Sequence, residues 1–292
     1  MTASGDSARM IDETVEEIAE MQTHSSSVVA IKAARALLAL GDREFPTVEE
    51  YERALERNSD ALRRANPSHA TLQTTQRELV SRVTESDAET VPAAQAVTED
   101  VVAEVVDRVE SAKRRAGERA AEFLEDGDTV FTYDYSSTVL EALTAAAEAG
   151  VSLSVRCAEA RPRYLGRKMA RTLSEFDGFD VTLVVDGAAG IFLDDCDRVM
   201  VGMDCIVEDT LYNRVGTYPV AATAADVGVP FVVVGAESKI VGGGFAFENE
   251  QRSVSEVIRE PADGFAVENP AYDATPMGLV DTVVTDDAVH EY

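Results

Sequence analysis

Several apolar segments in the second half of the chain each end on a charged or hydroxyl residue. The polar residues that close them include Asp134, Arg161, Asp204, Arg214 and Lys239. In open α/β sheets, ligands bind outside the carboxyl ends of the strands, so polar residues repeated at such positions predict a binding site. Arginine and lysine favour an anionic group there, and a carboxylate can accept or donate a proton.

Arg161 is the principal candidate for binding a phosphate. It follows the predicted strand 151–157, and its guanidinium can form two parallel hydrogen bonds with one phosphate, a geometry that lysine lacks. The residues that follow it form the most basic window of the chain, namely Arg163, Arg167, Lys168 and Arg171. The alternative interpretation is an ordinary surface arginine of a highly charged protein.

Two further groups could contact an anionic ligand. Ser136 and Ser137 lie where a predicted strand meets a helix amino terminus, so their hydroxyl and backbone N–H groups could bind a second phosphate. Simple N-capping of that helix is the alternative. Lys239, at the end of segment 232–239, is another candidate ligand contact.

Asp204 is the strongest single candidate for acid–base chemistry. It lies in the apolar sequence VGMDCI, which we predict to be part of a strand, and an unpaired carboxylate would be costly there. Partial burial would raise its pKa toward neutrality, as a general acid or base requires. The alternative is a purely structural ion pair with Arg161 or Arg214.

These residues are positioned by two predicted domains. Residues 1–125 carry helical periodicity in 10–40, 47–64, 70–83 and 98–124, with a polar break at 22–27 and a loop at 86–95, which predicts a helical domain. Residues 126–292 alternate strands (128–134, 151–157, 179–186, 197–207 and 230–237) with helices (136–149, 164–176, 187–194 and 217–227). Near-continuous valine-rich strands separated by helices predict an α/β fold with a Rossmann-like, doubly wound parallel sheet.

Composition excludes several classes of protein. The chain has 54 Asp and Glu against 26 Lys and Arg, a formal net charge of −28, and only four lysines. Such a surface suits a salt-rich cytoplasm, where self-repulsion is screened, and predicts a halophilic protein. It argues against binding nucleic acid through phosphate neutralisation.

No cofactor, metal or membrane segment is predicted. No apolar run is long enough to cross a membrane, so we expect a cytoplasmic protein. Three cysteines without CxxC spacing and the scattered His24, His69 and His290 do not suggest a metal site. No GxGxxG follows the first predicted strand, which removes most support for a redox role, and the glycine run 242–244 is expected to be a flexible loop.

The blocks that end the strands resemble a known family. They are AEARPRYLGRKMARTL, VDGAAGIFL, VGMDCIVED, YNRVGT, PFVVVGAESK and the late NPAYDATP at 269–276. Together they are similar to the alpha, beta and delta subunits of translation initiation factor 2B, whose superfamily also contains ribose-1,5-bisphosphate isomerase and methylthioribose-1-phosphate isomerase. The resemblance is strong over 128–288 and rests on helix pattern alone over 10–125.

The resemblance implies an architecture and residue roles. It implies a helical amino-terminal domain, a Rossmann-like domain and a dimer that completes its pocket near the subunit boundary. Arg161 matches an arginine that contacts phosphate in the isomerases, and Asp204 matches their acid or base on the sugar hydroxyl. Asn213 and Arg214 match an Asn-Lys pair that contacts ligand, with arginine replacing lysine.

Three positions depart from the isomerase pattern. Asp134 stands where the isomerases carry a catalytic cysteine, and a thiol and a carboxyl differ in pKa by about four units. The segment His24-Ser25-Ser26-Ser27 replaces an Arg-Gly-Ala phosphate motif, and Leu165 replaces a glutamine.

The departures favour a noncatalytic regulatory protein similar to the alpha subunit, which would bind a phosphosugar or a nucleoside monophosphate. We expect a homodimer or higher homo-oligomer, with a translation factor as a possible partner. The alternative is a sugar-phosphate aldose–ketose isomerase in which Asp134 and Asp204 form a carboxylate pair. A third hypothesis is an assembly subunit whose pocket binds nothing.

Geometry can separate these hypotheses. Carboxylates of Asp134 and Asp204 within about 5–8 Å across an open pocket would favour catalysis, whereas an Asp134 held by arginine or backbone donors would favour binding alone. The late block, with Asn269, Asp273 and Thr275, is expected to return toward the site or toward a dimer interface.

Overall fold

The computed structural model describes residues 3–20, 26–242, 245, 247–260 and 263–292. The chain divides into two compact units, Met1–Ser111 and Ala112–Tyr292. The division falls within one long helix, and the domain boundary near residue 125 stays a prediction.

The first unit is helical, as predicted. It contains α1 (Ala3–Glu20), α2 (Ser26–Ala36), α3 (Val48–Ala65), α4 (Ala70–Thr84) and the first part of α5 (Val91–Ala121). Helix α3 begins after Thr47, whose hydroxyl accepts a hydrogen bond from the Glu50 amide at 3.3 Å. Tyr51, Leu55 and Leu62 are fully buried, because their spacing puts them on one face of α3.

The predicted loop at 86–95 is wrong in its second half, where α5 has already begun at Val91. Pro92 lies in the first turn, where a missing N–H costs no intrahelical hydrogen bond. The predicted polar break at 22–27 falls partly on residues outside the described ranges, and α2 begins at Ser26.

The second unit is built on a seven-stranded sheet with the order β11-β10-β7-β4-β1-β2-β3. The strands are β1 (Thr129–Tyr133), β2 (Leu153–Ala158), β3 (Phe179–Val184), β4 (Arg198–Gly202), β7 (Phe231–Val234), β10 (Thr282–Val284) and β11 (Val289–Glu291). All neighbouring pairs are parallel except β10 with β11. The chain runs from β1 to one edge and from β4 to the other, so the order reverses between β1 and β4. The predicted doubly wound fold is thus confirmed, with its ligand crevice expected at that reversal.

Helices cover both faces of this sheet. They are α6 (Ser137–Glu148), α7 (Gly166–Leu173), α8 (Ala189–Phe192) and α9 (Thr217–Val227). Phe131 packs with Val199, Phe231 and the residues of α9 in one apolar cluster. Val130 packs with residues of α6 and α7 in another. Successive strand residues point to opposite faces, which is why neighbours such as Val130 and Phe131 enter different clusters.

A smaller second sheet was not predicted. It has the order β8-β5-β6-β9, with β5 (Cys205–Val207), β6 (Thr210–Arg214), β8 (Ile240–Val241) and β9 (Tyr272–Pro276). The predicted single strand 197–207 is therefore wrong: β4 ends at Gly202 and the chain enters the second sheet at Cys205. Asp204 is not embedded in an apolar strand but lies in the connection between the two sheets.

Candidate functional site

An open cleft lies at the predicted crevice, outside the end of β1. Five segments of the second unit form it: the end of β1, the loop after β2, the turn after β6, the irregular chain at Arg252 and the residues just before β9. The lining residues are Asp134, Ala160, Arg161, Pro162, Arg163, Arg214, Val215, Arg252, Asn269, Pro270 and Ala271. The late block therefore returns to the site, as expected for Asn269 and Pro270.

Asp134 is the buried carboxylate of this cleft. It directly follows β1, has a φ of +65° and is 7% exposed. Left-handed backbone is uncommon for a residue with a side chain and concentrates at functional sites. Burial raises the pKa of Asp134, although the charge of Arg214 and the Tyr135 backbone amide oppose the rise.

Arg214 lies between two carboxylates. Its Nε is 3.6 Å from Oδ2 of Asp134 and 3.9 Å from Oδ2 of Asp204. Because both distances start at the same atom, the two carboxylate oxygens are at most about 7.5 Å apart. Asp134 and Asp204 thus lie as close as a catalytic pair requires, while Asp134 also faces an arginine and a backbone donor.

Asp204 is more accessible than Asp134, with a side chain that is 33% exposed. Its backbone amide donates to the Tyr212 carbonyl at 3.0 Å, which fixes the connection to the second sheet. Lys239 braces the same connection, because its Nζ donates to the Met203 carbonyl at 2.6 Å. Burial lowers the pKa of Lys239, and the charge of Asp204 opposes that shift.

Arg161 and Arg163 supply positive charge to the cleft. In the part of the chain that the structure describes, neither guanidinium makes a hydrogen bond or an ion pair. Arg161 lies over the ring of Tyr164, with 5.3 Å between the guanidinium carbon and the ring centroid. Both arginines line the cleft, so their donors are available to an anion.

The loop that carries these arginines is held by Asp186. Oδ1 of Asp186 accepts from the Ala160 amide at 2.8 Å and Oδ2 from the Arg161 amide at 2.7 Å. The carboxylate thus binds two successive backbone amides, one of them at a residue with a φ of +57°. Asp186 was not singled out from the sequence, although it closes a predicted strand. The rule that polar residues at strand ends mark a site, here called the strand-end rule, could have found it.

Asn213 and the serine pair lie outside the residues that line the cleft. Asn213 is 6% exposed, and its amide donates to the Thr217 hydroxyl at 3.0 Å. Ser136 caps α6 by accepting from the Val139 amide at 3.3 Å, which is the N-capping alternative. Ser137 is the exposed first residue of α6, and its contact with a ligand stays a prediction.

Arg252 was missed because it follows no strand or helix pattern. Its guanidinium contacts Glu256 at 2.9 Å and Glu250 at 3.4 Å, and its amide donates to the Asn269 carbonyl at 2.8 Å. The Asn269 side chain in turn donates to Glu256 at 3.2 Å. Hydrogen bonds from Arg252 and Asn269 lower the pKa of Glu256. This network closes one wall of the cleft.

Some sequence predictions fall on other parts of the chain. His24, Ser25, Gly243 and Gly244 lie outside the described residues. The cysteines Cys157, Cys196 and Cys205 are buried and unpaired. Within the described ranges, no group of three or more His, Cys, Asp or Glu side chains is arranged to hold a metal ion. None of the described helices is long and apolar enough to cross a membrane.

The fold and the site define a class. This is an α/β protein with a helical amino-terminal region and a cleft lined by arginines and the carboxylate of Asp134 at the reversal point of a mostly parallel sheet. The chain belongs to the initiation factor 2 subunit family, whose family model matches residues 22–290. The resemblance found in the sequence blocks is thereby confirmed.

Individual relatives are similar along almost the whole chain. A ribose 1,5-bisphosphate isomerase of Haloterrigena turkmenica is 33% identical over 298 residues, covering 96% of this chain and 90% of the relative. A second enzyme of that name, from Haloferax volcanii, is 32% identical and covers 94% and 86%. The solved structure of Pyrococcus horikoshii OT3 translation initiation factor eIF-2B is 25% identical, with a TM-score of 0.71 and 96% of each chain covered.

Proposed function

We propose that this protein is a sugar-phosphate aldose–ketose isomerase of the ribose 1,5-bisphosphate isomerase type. The observation that carries the proposal is the buried Asp134, whose pKa is raised by burial, in a cleft lined by arginines. A carboxyl group with a raised pKa in a cleft suits proton transfer near neutral pH. The relatives that share a third of the sequence carry isomerase names, and they give no support to the noncatalytic reading favoured by the sequence.

The arginines account for substrate binding. Arg161 and Arg163 line the cleft and offer donors to a phosphate, and Arg214 places a third positive charge next to the carboxylate pair. Bidentate arginine–phosphate contacts fix orientation as well as affinity. In this account a phosphate binds at Arg161 and Arg163, and the sugar carbons lie toward Asp134 and Asp204.

The reaction needs no oxidant, because its atoms balance within one molecule. The bond between C1 and the ring oxygen breaks. C2 loses its hydrogen, and C1 gains one. The proton of the C2 hydroxyl goes to the ring oxygen, which leaves a carbonyl at C2. Two proton transfers are required, one at carbon and one at oxygen.

The two carboxylates divide these transfers. Asp134, the more deeply buried, serves the carbon atoms, and Asp204 exchanges the hydroxyl proton. Arg214 stabilises the negative charge that develops on the C2 oxygen as its hydroxyl proton is withdrawn. Burial narrows the pKa gap between Asp134 and the cysteine that the isomerases carry at this position, since it moves the carboxyl pKa upward.

Turnover is the direct test. Purified protein is incubated with ribose 1,5-bisphosphate and the ketose bisphosphate is followed by phosphorus NMR. We expect product from the wild type and a rate about 100-fold or more lower in Asp204→Asn, since general acid–base catalysis contributes that much. Asp209→Asn, an exposed carboxylate five residues away, is the matched control and should keep the wild-type rate.

Binding separates the remaining hypotheses. A ligand at 100 times its dissociation constant stabilises the folded state by about 2.7 kcal/mol. Suppose that ribose 1,5-bisphosphate stabilises the wild type but not Arg161→Ala, and that the wild type forms no product. The protein would then be a noncatalytic regulator. A wild type that no phosphorylated sugar or nucleoside monophosphate stabilises would leave only the assembly hypothesis.

Assembly and location remain part of the proposal. We infer a homodimer or higher homo-oligomer in the cytoplasm from family membership, and a translation factor partner would belong to the noncatalytic alternative. Sedimentation of the purified protein tests the oligomeric state directly.

A further inference from the structure

We propose that Asp273 is a positioning residue of the cleft, which holds the turn 214–218 so that Arg214 stays between Asp134 and Asp204. Nothing in the sequence blocks assigned it such a role, and it does not line the cleft. The inference rests on the proposed function for its kinetic readout only.

The carboxylate of Asp273 binds two backbone amides of this turn. Its Oδ2 accepts from the Gly216 amide at 2.6 Å and from the Tyr218 amide at 3.0 Å. These amides open α9, where the helix dipole favours a negative charge. Asp273 pairs with Asn213 in the β6–β9 ladder, so the sheet register places its carboxylate beside the turn.

Other contacts hold the same turn. The Tyr133 hydroxyl donates to the Val215 carbonyl at 2.9 Å, and the Thr217 hydroxyl donates to the Arg214 carbonyl at 2.7 Å. The Val215 amide donates to the Ala271 carbonyl at 3.1 Å. Asp273 is the contact that satisfies two donors at once, and its loss would leave both without this acceptor.

The position of Arg214 matters because of the charges that face Asp134. They are Arg214 from β6, Arg163 from the loop after β2 and Asp204 from the connection after β4. Of these, Arg214 is the strongest influence that favours the charged carboxylate. If the turn relaxes and Arg214 withdraws, Asp134 binds its proton more tightly and ionises at higher pH.

The experiment compares Asp273→Ala and Asp273→Asn with the wild type by two readouts. The first is the pH profile of kcat/KM with ribose 1,5-bisphosphate. The second is the titration of the Asp134 carboxyl carbon by NMR, with Asp134→Asn used to assign the signal. Asp226→Ala removes the same charge from an exposed position at the other end of α9 and serves as the control.

We expect Asp273→Ala to lower kcat about tenfold or more with little change in KM, because misplacement of a catalytic group costs rate before it costs binding. In Asp273→Ala, the acid limb of the pH profile of kcat/KM and the NMR titration of Asp134 should both move to higher pH. Asp273→Asn keeps one acceptor oxygen and should show a smaller shift, and it carries the test if the alanine variant does not fold.

Titrations of Asp134 that coincide in the wild type, both Asp273 variants and Asp226→Ala would overturn the inference. The two proposals fail separately. A wild type without turnover removes the proposed function, yet a shifted Asp134 titration would still establish the positioning role. An active wild type with unshifted profiles in the Asp273 variants removes the positioning role alone.

Discussion

Two features of Asp134 raise the free energy of the folded state, and an ordinary structural residue would avoid both. Its backbone is left-handed, and its carboxylate is buried, with Nε of Arg214 3.6 Å away. Left-handed backbone and a partly compensated buried charge each cost free energy. Such costs are expected where a side chain is held for chemistry.

The raised pKa of Asp134 predicts how stability depends on pH. Because the pKa is higher in the folded state, the folded chain keeps this proton over a range where the unfolded chain has lost it. The stabilising contribution of the neutral carboxyl is therefore complete below the ordinary pKa of about 3.9 and is lost as the pH rises through the folded-state pKa.

Asp134→Asn tests this sign. The asparagine does not titrate, so the free energy of unfolding of the wild type should fall relative to that of Asp134→Asn as the pH rises from about 4 to 7. Chemical denaturation at several pH values measures the difference. Parallel curves for the two proteins would contradict the predicted shift, and Asp226→Asn, which changes an exposed carboxylate, controls for general charge effects.

The strand-end rule predicted part of the site from sequence. Asp134 and Arg161 line the cleft because parallel strands of the main sheet end at one edge, whereas Arg214 reaches the cleft from β6 of the second sheet. The rule does not tell which way a side chain turns after the strand, and Asn213 donates to Thr217 while Ser136 caps a helix. Arg252 belongs to an irregular segment, so no local pattern could have placed it.

At the scale of elements, the cleft lies between two sheets, of which the sequence predicted one. The run 197–207 is mostly apolar and predicts a single strand. The interruption after Gly202 depends on distant contacts: the Ser136 side chain packs against Gly202, and the Asp204 amide pairs with Tyr212. Such contacts have no signature within the strand itself, so Asp204 was predicted in the wrong element.

The loop that presents Arg161 depends on Asp186. Asp186→Ala should weaken binding of inorganic phosphate about tenfold, because two backbone amides lose their acceptor and the loop no longer fixes the arginine. Asp186→Asn should have a smaller effect. Calorimetry measures the dissociation constant, with Asp194→Ala as an exposed control. Equal affinities in all these proteins would show that the loop needs no such support.

Gly216 joins the turn of Arg214 to the strand of Asp134. It has a φ of +109°, and a Cβ there would overlap the Tyr133 hydroxyl. Gly216→Ala should therefore destabilise the protein by about 3 kcal/mol or more through strain and overpacking together.

Gly228→Ala isolates the strain. Gly228 also has a positive φ, of +76°, but a Cβ would meet nothing within 4 Å. The free energy of unfolding should fall by about 1–2 kcal/mol in that variant, the cost of a left-handed residue with a side chain. If the free energy of unfolding falls equally in Gly216→Ala and Gly228→Ala, the contact between Gly216 and Tyr133 does not hold the turn.

At the scale of the whole molecule, the fold was the part that sequence predicted best. Helical periodicity and alternating strands and helices are local signals, and the predicted helical region followed by a doubly wound sheet is what the structure shows. The net charge of −28 predicts a halophilic protein, and that remains a prediction.

The chain as a whole combines isomerase relatives with a carboxyl group in place of the expected thiol. Family membership alone does not decide whether it turns over substrate, because one fold can serve different functions. In the proposed reaction, Asp134, in its arginine-lined cleft, performs the proton transfer at carbon.

The most direct test follows ribose 1,5-bisphosphate by phosphorus NMR with the wild type and Asp134→Asn side by side. We expect ketose bisphosphate from the wild type and a rate about 100-fold or more lower from the variant, which should still bind the substrate because its arginines are intact. No product from the wild type, or equal rates for the two proteins, would contradict the account.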